Sequence, residues 1–438
     1  MFSKPNVLVV YGAREYPLRE SSKDRLYCYK RYAKAKCFYY SVEDEPPSYL
    51  QKINFDLIIF ECTLAAHRWH GADLFKDKIY PKIAFTRESR AAKVVLPQDE
   101  WIQTNLLNDF INDFQINYVF SVAPESEWKK IYNRIDFNKV RFFKSLTGYL
   151  DESTLKKITT VAKTIRKRDI DIGYRAYRAP SWLGRHGYLK TKIAHVFREQ
   201  ASCASLKTDI SVEEKDTIYG DAWYKFMLRC KYSIGAEGGS SVLDEDGNIW
   251  RRGTEFKALY PNATFEETEA ACFSGMDGNL NLTAISPRHL EACATRTCQV
   301  LIEGEYNAIL KPNIHYIELK KDFSNVEQVL ELIKDDRKRE SMVENAYRDI
   351  VISGRYTYHN FVEYMINNTL IKNDIKLQGV KEQIYIWIVY LINSIHDWVK
   401  WQKSRCFYAL RPYLNMMRQY NFNKTKGIFS YVRHSRNL

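Results

Sequence analysis

Between residues 175 and 190 the chain reads Arg-Ala-Tyr-Arg-Ala-Pro-Ser-Trp-Leu-Gly-Arg-His-Gly-Tyr-Leu-Lys, which gathers Arg175, Arg178, Arg185, His186 and Lys190 around Gly184 and Gly187. The stretch follows the apolar run Asp169 to Tyr174 and leads into a segment of helical spacing. A strand end, a basic glycine-containing loop and a helix start bring N–H groups, a helix dipole and cations onto one anion, so these residues form a candidate phosphate site. A solvated basic loop is the alternative. The loop is not a Walker A sequence, because G-x-x-x-x-G-K-[ST] is absent. A second group is Ser286-Pro-Arg-His-Leu-Glu291. Ser286 suits an N-cap and Pro287 a first helical position, which places Arg288 and Glu291 about one turn apart. A carboxylate there can take both hydroxyls of a ribose while the free N–H groups of the turn face a phosphate. Plain capping is again the alternative.

Two further groups could act on a substrate. Gly235-Ala-Glu-Gly-Gly-Ser-Ser-Val-Leu-Asp-Glu-Asp-Gly247 leaves an expected strand end, so Glu237 could approach a sugar as hydroxyl ligand or catalytic carboxylate. Asp244 and Asp246 could be read as a D-x-D metal motif, although D-E-D-G is more often a turn; no metal is expected. In the first third of the chain, His67-Arg-Trp-His70, Pro97-Gln-Asp-Glu100 and Pro124-Glu125 follow apolar runs. A transfer that needs a general base would draw on such a group, and Asp99 and His67 are the candidates. Arg14 and Arg19 could hold a phosphate-bearing acceptor.

These residues require strand ends to carry them. Short apolar runs at Val7–Tyr11, Lys36–Tyr40, Asp56–Phe60, Ala92–Leu96, Asn117–Ser121 and Val140–Phe143 alternate with helix-like segments such as Trp101 to Phe114. The pattern breaks near residues 146–150 and restarts with strands at Asp169–Tyr174, Tyr232–Gly235, Gln299–Ile302 and His315–Leu319. Helices are expected at 190–199, 223–231, 286–294, 325–333 and 339–352. Alternation of this kind implies parallel sheets covered on both faces. The expected organisation is an α/β domain over 1–150, a second over 151–370 and a tail over 371–438, with ligands at the strand ends of a shared cleft.

The 438 residues, 45% apolar, exclude general disorder. The net charge is +13, and residues 371–438 carry 12 Lys/Arg against three acids, so the tail holds +9 of it. The tail also contains the run Ile384 to Ile392, with Trp387, Trp398 and Trp401 nearby. Basic flanks and aromatic residues around a short apolar helix suit an anionic membrane surface. Packing on the body is the alternative, and nucleic acid ranks last because no such motif occurs in the body. No stretch approaches the ~18–20 apolar residues of a membrane span. The first apolar run is too short for a secretory leader and reads as a strand. Nine cysteines without a C-x-x-C pair suit a reducing compartment.

The segment from Ser286 to Asp336, together with Glu344 to Val362, resembles the C-terminal domain of GT-B glycosyltransferases, nearest the bacterial family-1-like and spore-maturation-type branch of surface polysaccharide pathways. The likeness spans roughly 165–365 and rests on a helix carrying R-x-x-E-A, a small-residue turn, two strands around a polar loop and two closing helices. It implies two Rossmann-like domains facing a cleft, with a C-terminal helical basic tail. It also implies that Glu291 binds the nucleotide ribose and that Arg175, Arg185 and Lys190 hold the donor phosphates without a metal or other cofactor; Ser286 and Arg288 are expected to bind the donor beside them. Thr283 stands where the larger retaining family has a second glutamate, and Gly12-Ala-Arg-Glu15 replaces a glycine-rich acceptor loop. Donor sugar and stereochemistry therefore stay open. The expected activity is sugar transfer from a nucleotide sugar to a glycan or lipid-linked acceptor in cell-surface polysaccharide synthesis, at the cytoplasmic face of the membrane. The alternatives are transfer of a CMP-linked acidic sugar, with the arginines facing its carboxylate, and a non-catalytic nucleotide-sugar or glycan-binding protein.

Overall fold

The computed structural model describes residues 4–12, 18–370, 382–403 and 405–406. The first sheet contains β1 (Asn6–Tyr11), β2 (Lys36–Ser41), β3 (Leu57–Phe60), β4 (Ala92–Val95), β5 (Tyr118–Ser121) and β6 (Arg141–Lys144), all parallel, in the order β2-β1-β3-β4-β5-β6. Its central strands are continuous apolar runs because both faces are covered: Val7 to Val10 and Leu57 to Phe60 are fully buried and pair in register, Val7 opposite Leu57 and Val10 opposite Phe60.

The second sheet holds β7 (Ile170–Arg175), β8 (Thr208–Ser211), β9 (Cys230–Gly235), β12 (Cys298–Ile302) and β13 (Tyr316–Leu319) in the parallel order β13-β12-β9-β7-β8. An antiparallel ribbon of β10 (Gly238–Ser240) and β11 (Leu282–Ala284) lies between β9 and β12 in sequence. The two doubly wound halves match the expected α/β architecture. Strand β8 and the ribbon were not expected, since Thr208–Ser211 and the glycines carry no apolar run.

The halves are joined on two sides. Near the first crossing, the Leu150 N–H donates to Tyr356 and the Tyr358 N–H to Leu150, after which helix Tyr358–Thr369 packs Phe361, Val362 and Met365 into the first domain's core. On the opposite side, the Asp244 N–H donates to the Trp101 carbonyl and the Gln103 N–H to the Asp244 carbonyl, both at 2.7 Å. This bridge takes Trp101 and Ile102 out of the expected helix, which starts only at Thr104. Leu183, Leu243, Leu280 and Leu282 join the same hydrophobic cluster as Phe110, Ile111 and Val119 of the first domain, so one core runs across both halves.

The tail splits between the described and undescribed residues. A helix over 382–403 lies along the outer edge of the first sheet, where Ile386 and Val389 enter the core. Asn393 caps the edge strand β2 as a further strand would: its Oδ1 accepts from the Tyr39 N–H at 2.9 Å and its Nδ2 donates to the Tyr39 carbonyl at 3.0 Å. The packing alternative therefore holds for one face of this helix. Most of the tail's cations lie outside the described residues.

Candidate functional site

The second sheet reverses its order between β7 and β9, which opens a crevice at their carboxyl ends. A cavity of about 320 Å³ sits there, walled on its far side by the first domain. Three pieces of the second domain supply its charge. Lys190 projects from helix Gly184–Cys203, which begins six residues earlier than expected, so the later half of the basic stretch is helical. Arg288 and Glu291 come from the first turns of helix Pro287–Ala294, with the Arg288 guanidinium 5.5 Å from the Tyr174 ring centroid. Ser286 holds the N-cap position in extended backbone, but its hydroxyl makes no capping bond and it lines the cavity.

Two cations, Lys190 and Arg288, set the electrostatics of the cavity. Burial, then the nearby Arg288 cation, bring the Lys190 ammonium down to about 8, opposed by Asp99. Neither Lys190 nor Arg288 forms an ion pair with an acid among the described residues. Glu291 is raised by burial and accepts from the Trp223 indole N–H at 2.8 Å, which also lines the cavity. Ribbon residues Gly238 and Gly239 form part of the wall. Gly239 has φ +118° and a side chain there would meet the Leu282 carbonyl oxygen at 1.9 Å, so only glycine lets the ribbon close this tightly.

The first domain contributes Arg19, Arg25, Gln98 and Asp99. Asp99 stands at the carboxyl end of β4 and within electrostatic reach of Lys190; burial raises its carboxyl above the usual range, against the pull of Arg68, Lys190 and Arg25. Arg25 is clamped by Glu61 at 2.7 Å and also donates to Gln98. Burial pushes Glu61 upward, but Arg25 and the Thr63 hydroxyl and N–H outweigh it and hold the carboxylate low.

The structure thus brings Lys190, Ser286, Arg288, Glu291, Asp99 and Arg19 to one cavity. Other candidates are placed elsewhere or engaged. Arg175 lines the cavity, but its guanidinium is turned onto Asp209 at 2.6 Å and the Phe226 ring. Arg185 is outside it, held by Glu269 at 2.8 Å and Asp277 at 3.3 Å. Glu237 points beneath the wall, where it accepts the backbone N–H groups of Tyr306 at 2.6 Å and Glu305 at 3.2 Å. His67 does not line the cavity; its ring abuts Gly12 between the Thr63 carbonyl at 3.0 Å and Glu43 at 3.3 Å. Asp244 caps the N–H groups of Ile249 and Trp250, and Asp246 accepts from Asn105, so this pair serves the bridge between domains. Arg14 lies outside the described residues. Arg25 and Trp223 were missed: each sits on an ordinary helix, and no local motif marks its partner, 36 and 68 residues away.

No protein-family profile matches this sequence, and no curated protein does. Among solved structures, HepE from Anabaena in complex with UDP-glucose aligns with 83% of this chain and 100% of its own at 10% identity, with a TM-score of 0.47. A glycosyltransferase from Rickettsia africae aligns over 84% and 98% at 11% identity and a TM-score of 0.43. TarM aligns over 73% of this chain at 12% identity and a TM-score of 0.43. The chain covers 56% of the TarM chain, a little over half its length.

Proposed function

We propose that the protein is a glycosyltransferase that uses a nucleotide-sugar donor. One observation carries the reading: Lys190 and Arg288 converge beside the start of helix Pro287–Ala294, with Glu291 on one side and Asp99 of the other domain across the cavity. Two cations and a helix N-terminus match a diphosphate. The free Glu291 oxygen suits a ribose hydroxyl. The developing charge on the leaving nucleoside diphosphate is offset by the same cations, of which Lys190 is desolvated by burial, and needs no metal for that purpose. Asp99 accepts the proton as the acceptor hydroxyl bonds to the anomeric carbon and the sugar–phosphate bond breaks. Arg19, which lines the same cavity, suits an acceptor that carries phosphate.

The acceptor is a glycan or a lipid-linked glycan of the cell surface, approached from the cytoplasmic face of an anionic membrane. The eight cysteines whose side chains are described are free thiols, in keeping with a reducing compartment. The acidic-sugar alternative loses its support, because Arg175 and Arg185 already face carboxylates of the protein.

A panel of nucleotides and nucleotide sugars scored by thermal shift, followed by a transfer assay, tests the reading. A diphosphate-bearing ligand should raise the melting temperature, since a ligand stabilises only the state it binds. Glu291→Ala should weaken its binding by about tenfold while the unliganded chain keeps its fold. Binding without any turnover would favour a non-catalytic binding protein; unchanged affinity would remove Glu291 from the site.

A further inference from the structure

The 382–403 helix docks with the wrong face inward. Its buried side carries Asn393, Asp397 and Lys400 beside Ile386 and Val389: Asn393 pairs with β2, Asp397 accepts from Tyr27, and Lys400 pairs with Asp44 at 2.6 Å. The residues a soluble protein would bury point the other way. Ile384, Ile388, Leu391 and Ile395 recur at helical steps of three and four, with Trp387 and Trp398 alongside. All six are exposed, Trp387 at 56%, Ile395 at 61% and Trp398 at 62%. A contiguous apolar stripe of this kind, opposite an anchored face, marks a surface that meets something apolar.

We propose that this outward face inserts into the interface of an anionic bilayer and fixes the first domain on the membrane. Charge decides for lipid over a second protein. Lys403 and Arg405 follow the stripe directly, and residues 371–438 carry 12 cations against three acids. Tryptophan within and at the end of an apolar stripe, with cations beyond it, suits the boundary between headgroups and acyl chains. No described helix is long and apolar enough to cross a membrane, so the helix lies on the surface. It also has a direction. Glu382 lies near Asn54, ahead of β3, whereas Lys400 reaches Asp44, just past the carboxyl end of β2. The helix therefore runs along the sheet edge toward the strand ends that face the cleft, and brings the acceptor side of the cavity to the bilayer. The membrane contact stands without the proposed transfer; only this last placement of an acceptor rests on it.

Flotation of the full chain with phosphatidylcholine vesicles, with and without phosphatidylglycerol, tests this. The chain should float with both, more strongly with the anionic mixture, and only the added binding should fall with salt. Trp387→Ser together with Trp398→Ser should lower partitioning at least about tenfold in both. Diphosphate binding by thermal shift should be unchanged in that variant, which keeps a failure of the site distinct from a failure of the membrane contact. Equal flotation of the variant, or no flotation of the parent chain, overturns the proposal. So does a parent chain that is dimeric and becomes monomeric in the variant while its flotation does not change.

Discussion

Replacing Lys190 by alanine is expected to weaken binding of a nucleoside diphosphate by about 10- to 100-fold and to lower transfer by about a thousandfold. The first figure is that of one charge-assisted hydrogen bond lost from a desolvated site. The second is larger because the leaving diphosphate carries more charge in the transition state than in the bound donor. The same residue fixes a pH dependence. The ammonium titrates at about 8 in the free protein, lowered by burial and then by Arg288. Bound phosphate favours its charged form, so affinity should be constant below about 8 and fall by up to about tenfold per pH unit above it. Lys190→Arg, charged throughout, should remove this break. Calorimetric titration of nucleoside diphosphate across that range checks both statements, and a break that survives in Lys190→Arg assigns it to another group.

Asp99→Asn should separate chemistry from binding. The proposed base transfers one proton and holds no part of the donor, so turnover should fall by about 100- to 10,000-fold while diphosphate affinity below the alkaline break changes little. In the parent chain, burial raises the Asp99 carboxyl, so the acid limb of the rate profile should lie above the ordinary carboxylate range. The variant has a second signature. Asp99 opposes the lowering of Lys190, so its neutral replacement should move the alkaline break in diphosphate binding to lower pH. Turnover equal to the parent chain's would exclude Asp99 as the base.

Much of the sheet scaffold was legible because its strands are buried on both faces and read as unbroken apolar runs, as in Val7 to Val10. The elements that sequence reading missed have no such run: β8 is Thr-Asp-Ile-Ser, and the β10–β11 ribbon depends on backbone contact at Gly239. The site divides in the same way. Lys190, Arg288 and Glu291 were visible because a cap or a cationic stretch announces them locally. Arg175, Arg185 and Glu237 were equally visible, yet their partners are Asp209, Glu269 and the 305–306 backbone, which no local pattern reveals. Charge type can be read along a chain; whether that charge is already neutralised depends on residues far away.

The bond between the Asp244 backbone and residues 101–103, with the leucines that accompany it, bears on how the molecule could be dissected. Neither lobe buries all of its apolar surface by itself. Cutting the gene near codon 150 would strip Leu183, Leu243, Leu280 and Leu282 from the apolar surface they fill and leave sticky faces on both fragments. The two lobes are better regarded as one cooperative body with a slot in it than as a pair of jaws on a single pivot, and access to that slot would fall to small local segments such as the glycine ribbon.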